Sequence, residues 1–173
     1  MFAEYSDTAY DIVKVLHILC AIIGLGAVFL NGIYGRQAAS RRGREGLAIF
    51  QANFLVSKVA EYFVYAILLF GVLLVVLSDD VIGFGDTFVW LSTLLFLAAL
   101  GISHGLLTPR VRKMEGLMIE LADGPPAGGT GGPPPQAAQL ETLGKQVGMC
   151  GLTLNVLVVV ILTLMVTKPG LGG

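Results

Sequence analysis

Two histidines, one carboxylate and one lysine stand where chemistry inside a membrane would need them. His17 lies early in an apolar segment, in the string Tyr10-Asp-Ile-Val-Lys14-Val-Leu-His17, and His104 and Glu61 lie in two others. A titratable group in hydrocarbon is costly, so each is by default a functional candidate. His17 can offer a ring nitrogen to a haem, a metal or a quinone, with Lys14 on the same helical face reaching toward headgroups or an anionic part of a ligand. The alternative is a structural histidine, satisfied by the hydroxyls of Ser92, Thr93 or Thr163 at its own depth, with Met165 slightly farther out. Asn31, Glu61 and His104 fall at a common depth near the other boundary, within ~5 Å along the membrane normal. Such a cluster either handles protons or a polar ligand, or it ties helices together by hydrogen bonds. Gly101 and Gly105 around His104 also make a small-xxx-small packing face.

The elements that must carry these groups are apolar helices. Of the 173 residues 55% are hydrophobic and only 13% charged, and the mean hydropathy is +0.80, well outside soluble globular usage. Apolar runs at 12–34, 59–77, 88–107 and 147–167 each approach the ~20 residues needed to cross a bilayer. The expected fold is therefore all-α, a single integral membrane domain over 1–173 built as a four-transmembrane-helix bundle. Segment 37–58 reads as an interfacial amphipathic helix or a straight extension of span two. The stretch after Pro109, with Val111, Met114, Leu117, Met118 and Leu121 on one side, reads as a cytoplasmic amphipathic helix. Residues 124–135, Gly- and Pro-rich, read as a flexible linker.

Charge sets the orientation. Arg36, Arg41, Arg42, Arg44, Lys58, Arg110, Arg112, Lys113 and Lys145 are nine of the eleven basic residues and fall at one end of the spans. By the positive-inside bias that end is cytoplasmic, with both termini outside. Glu4, Asp7 and Asp11 before span one do not make the basic start of a signal peptide, so that span is expected to be retained. The short outer loop 78–86 implies that spans two and three are antiparallel neighbours. Cys20 and Cys150 enter from opposite faces, which disfavours a disulfide.

Depth also bears on cofactors. His17 lies ~8 Å and His104 ~24 Å below the outer ends of their spans, so the two differ by ~16 Å and do not clamp one haem between them. No Walker, zinc-finger, GxGxxG or nucleic-acid motif is present, and no catalytic residue or metal cluster is assigned.

Tyr10-x-x-x-Lys14-x-x-His17, followed by Gly24, Gly26 and an arginine-rich loop, resembles a family of small bacterial predicted integral membrane proteins of unknown function. The likeness covers residues 8–113. The first helix is also distantly similar to those of the membrane-bound protoporphyrinogen oxidases and the CopD-type copper-resistance membrane domains. The former resemblance implies haem binding at His17, with Lys14 matching the adjacent lysine. Span one has no tryptophan after His17, where those families often carry one; the single tryptophan is Trp90. The resulting expectation is a bacterial plasma-membrane protein in contact with lipid and with other membrane subunits. It is non-enzymatic or an accessory subunit of a larger complex; the alternative is a haem- or quinone-linked redox protein using His17.

Overall fold

The computed structural model describes residues 8–41, 43–79, 81–123 and 135–170. Helix α1 runs Thr8–Ser40, α2 Gly43–Val76 and α3 Thr87–Ile102; α3 passes through a π-helical turn, Ser103–Leu107, into α4, Thr108–Asp123; α5 is Pro135–Thr167. No strand occurs among the described residues. Four rods are long and apolar enough to cross a membrane, α3, the π turn and α4 together forming one of 37 residues. At 1.5 Å per residue a 33-residue helix is about 50 Å long, well beyond ~30 Å of hydrocarbon. The rods thus project past the apolar runs that define them. Segment 37–58 continues α1 to Ser40 and then forms the first turns of α2, so the straight extension is what forms. The stretch after Pro109 is helical and continuous with span three. Linker 124–135 lies outside the described residues except for Pro135, which opens α5 at the first helical position, where a missing N–H costs nothing.

A tight turn at the arginine-rich end joins α1 to α2. Gly43 takes φ +60, a left-handed conformation that side chains resist. Gly46 sits against the end of α1, where a Cβ would lie 2.6 Å from the Arg41 carbonyl and 2.7 Å from that of Ala38. Arg41 and Glu45 form an ion pair across this turn. Farther along, a Cβ at Gly24 would lie 3.1 Å from both the backbone nitrogen and Cγ2 of Val64. These close approaches make α1 against α2 the most extensive helix contact in the chain.

The other half is organised by α5, which packs on α3, on α4 and on α1, while α2 meets α4 at the basic end. There Gln51 donates to Glu115 and Arg44 to Asp123, both at 3.4 Å. Early in α5, Lys145 beside Glu141 holds that carboxyl below the usual carboxylate range.

Spans two and three depart from expectation. They are antiparallel and share a core cluster that includes Ile67 and Phe96, with Phe63, Val64, Leu95 and Leu100 packed on it. Their backbones nevertheless make no extended close approach. Loop length fixes only the distance between helix ends; beyond the loop, bulky side chains such as Phe63 and Phe96 fill the space and keep the helices apart. The result is a seam bridged by side chains, not closed by backbone packing.

Gly46→Ala places a methyl onto two carbonyl oxygens and is expected to lower stability by about 1–3 kcal/mol, as overpacking does. Denaturant unfolding in detergent checks this, and an unchanged midpoint would show that the α1–α2 turn yields.

Candidate functional site

Polar groups in the apolar helices gather in two layers. The first lies toward the basic end, across the α2–α3 seam. Glu61 and Tyr65 stand one turn apart on α2 and face His104 on the π turn. Glu61 Oε1 accepts from Tyr65 Oη at 2.8 Å and lies 2.9 Å from His104 Nε2; Tyr65 Oη lies 2.5 Å from the same nitrogen. Lys58 Nζ donates to the other carboxylate oxygen, Oε2, at 3.0 Å. The side chains of His104 and Glu61 are 45% and 28% exposed and Tyr65 is 43% exposed, so the cluster is open on one side.

Local sequence explains the position of His104. Pro109 has no N–H, and a proline ring inside a helix crowds the carbonyl four residues back, here that of Gly105. The helix widens into the π turn, where the Thr108 N–H bonds to the Ser103 carbonyl five residues back and the Thr108 hydroxyl reinforces it at 3.0 Å. His104 Nδ1 donates to the Leu100 carbonyl at 3.1 Å, and Arg110 donates to the Leu106 carbonyl at 2.6 Å. Side chains thus supply donors where the backbone ladder slips. Single π turns of this kind recur at functional positions.

Of the three residues expected here, Glu61 and His104 meet and Asn31 does not join them. Asn31 Oδ1 instead accepts from Ser57 Oγ at 3.0 Å, tying α1 to α2. Tyr65 was not anticipated. Its signal was the four-residue spacing from Glu61, which puts both on one helical face.

The second layer surrounds His17, toward the opposite end. Cys20, Ile67, Phe96 and Ile161 belong to one buried cluster. One helical turn farther from the basic end, on the same four faces, stand His17, Gly71, Ser92 and Met165. The imidazole lies on α2 where Gly71 has no side chain: a Cβ there would be 3.3 Å from His17 Cε1 and 3.7 Å from Nδ1. Nδ1 is buried and makes no hydrogen bond, although the backbone of Ile67, one turn before Gly71, acts on the ring. The hydroxyls considered as partners are engaged otherwise or orphaned. Thr163 donates to the Val159 carbonyl at 2.8 Å, and Ser92, 1% exposed, is itself unpartnered. Lys14 turns away to Asp11 at 2.7 Å and lies 4.9 Å from the centre of the Tyr10 ring. Gly71 went unnoticed because a glycine in an apolar span does not reveal which ring it receives. Cys20 and Cys150 are both free thiols. Among the described residues no three His, Cys, Asp or Glu side chains converge on a metal position.

The fold and its polar layers define a small all-helical integral membrane protein with four candidate spans. Residues 11–169 match the family described as predicted integral membrane protein (DUF2269), and the chain belongs to that family. No curated protein and no solved structure matches it.

Gly71→Leu is expected to destabilise the protein by about 1–3 kcal/mol through the clash with the imidazole. In a His17→Ala background the same change should cost measurably less, a coupling of about 0.5–3 kcal/mol in a double-mutant cycle. Additive losses would mean that the ring does not occupy the glycine notch.

Proposed function

We propose that this chain is a non-enzymatic integral membrane protein, free-standing or an accessory subunit of a larger membrane complex, whose intramembrane polar residues hold its helices in register. The observation that supports this is where those residues find partners. Asn31 and Ser57 join α1 to α2, Glu61 and Tyr65 join α2 to His104 beyond α3, and Arg110 joins α4 to Gln146 of α5 at 3.0 Å. Where lipid is as apolar as the side chains, such bonds and close packing drive helix association. The accessory role is supported by an apolar groove on α1 and α2, lined by Ile22, Gly26, Leu30, Val56 and Val59, wide enough for side chains of a further helix. The bias of basic residues supports an orientation with the arginine-rich end inside and both termini outside; the bacterial plasma membrane is the setting proposed for it. Asn31→Leu is expected to cost about 0.5–2 kcal/mol in detergent unfolding, the scale of interhelical hydrogen bonds in membranes. No loss in Asn31→Leu or in His104→Leu would overturn the structural role. Stoichiometric partner chains in mild-detergent purification would favour the accessory subunit over the free-standing protein.

A second reading, a haem- or quinone-linked redox protein using His17, is favoured by the buried, unpartnered Nδ1. Nδ1 faces the Gly71 notch of α2, which leaves Nε2 as the nitrogen for a ligand. The ring is placed as in a histidine ligand, one nitrogen against the protein and the other left for the ligand, although Nδ1 lacks the hydrogen bond that usually holds the inner nitrogen. His17 alone would hold a haem there, and bound it would supply one-electron chemistry. Lys14 would have to leave Asp11 to meet an anionic group of that ligand. The likeness of the first helix to membrane-bound protoporphyrinogen oxidases points the same way. Protein purified with haem supplementation should then show a Soret band that is lost in His17→Ala; folded protein without any band sinks this reading.

A further inference from the structure

We propose that Glu61 and His104 bind one proton between them, with Tyr65 as the hydroxyl that reorients when the proton leaves. The proposal goes beyond helix lacing and is independent of any ligand at His17.

A count of donors supports it. The Leu100 carbonyl can only accept, so His104 Nδ1, at 3.1 Å, carries a hydrogen. On the far side of the ring, Nε2, Glu61 Oε1 and Tyr65 Oη form a triangle with edges of 2.9, 2.8 and 2.5 Å. Heavy atoms this close need hydrogens between them. Tyr65 has one to give. Lys58 donates to Oε2 and makes no hydrogen bond to the three atoms of the triangle. A neutral imidazole with its hydrogen on Nδ1 would leave the Nε2 lone pair facing a carboxylate oxygen at 2.9 Å. One more proton resolves this: Nε2–H is shared between Oε1 and Oη while the Tyr65 hydroxyl donates to Oε1. The edge between Glu61 and His104 is equally satisfied if that proton resides on the carboxyl and donates to Nε2. It therefore belongs to the pair and not to either residue.

Charge and access are consistent with an exchangeable proton. With Lys58 included, the cluster carries +1 when loaded and zero when the proton has passed to water. No other charged side chain among the described residues is bonded into it. Arg110 of α4 is turned to the Leu106 carbonyl and to Gln146 of α5, and Lys145 of α5 is paired with Glu141. His104 and Tyr65 are partly exposed, and the cluster lies toward the basic end of its spans, where hydrocarbon gives way to headgroups. On release, the Tyr65 hydroxyl can turn to Nε2, and Oε1 and Nε2 then face each other as bare acceptors. The polar bridge across the α2–α3 seam is weakened in that state.

The test uses the full chain in lipid nanodiscs, labelled with ¹³C-carboxyl glutamate and ¹⁵N-histidine and followed by NMR from acid to alkaline pH. Glu61 and His104 signals are assigned by their loss in Glu61→Gln and His104→Asn. The expected result is that the step at which the shared proton leaves appears at one midpoint in both the Glu61 and the His104 signals. In Glu61→Gln the His104 midpoint should move while the His17 signal stays in place, which reports an intact fold. Tyr65→Phe should keep the midpoint shared but shift it for both residues. A His104 step that the Glu61 signal does not follow, or a His104 titration indifferent to Glu61→Gln, would overturn the proposal.

Discussion

A backbone polar group inside hydrocarbon must be satisfied by the protein itself, since no water is there to do it. Most of this chain meets that demand with uninterrupted helix. At Pro109 it cannot, because the residue lacks an N–H and its ring displaces the turn before it. The π turn at Ser103–Leu107 and the bonds from Thr108, Arg110 and His104 to nearby carbonyls are the local answer. His104 is thereby committed at Nδ1, and its remaining nitrogen points at Glu61 and Tyr65. The geometry of the polar cluster thus follows from one proline placed a turn and a half beyond a histidine.

The two polar layers differ in how fully they are satisfied. Toward the basic end every ring and carboxylate atom of the cluster has a partner, several within 3 Å. Around His17 the opposite holds, with His17 Nδ1 and Ser92 Oγ both buried and without hydrogen bonds. Leaving a buried polar atom bare costs about 1–3 kcal/mol. Such a layer persists because close packing surrounds it, here Gly71 under the ring and the Cys20–Ile67–Phe96–Ile161 cluster one turn below.

Helix number, the approximate spans and the pairing of Glu61 with His104 were legible in the sequence, because hydropathy reports length and residue counting reports depth. Depth is one coordinate of three. It placed Asn31 level with Glu61 but said nothing of its azimuth, and the side chain turns to Ser57 instead. The same gap made Ser92 and Thr163 look like partners for His17. The outer loop revealed that spans two and three are neighbours, but not that side chains rather than close backbones join them, since a short connection constrains only helix ends. Gly71 and Tyr65 carried signals, but each acquires meaning only from the residue opposite.

Between α2 and α3 the bundle is joined by side chains with little backbone proximity. Gly24 and Gly46 rivet α1 to α2, and α5 is braced on three sides, so neither half of the bundle deforms readily. The 37-residue rod of α3, the π turn and α4 is instead fastened at its far end, where α4 packs on α2 and on α5, so the side-chain seam in the apolar region is clamped from beyond the bilayer.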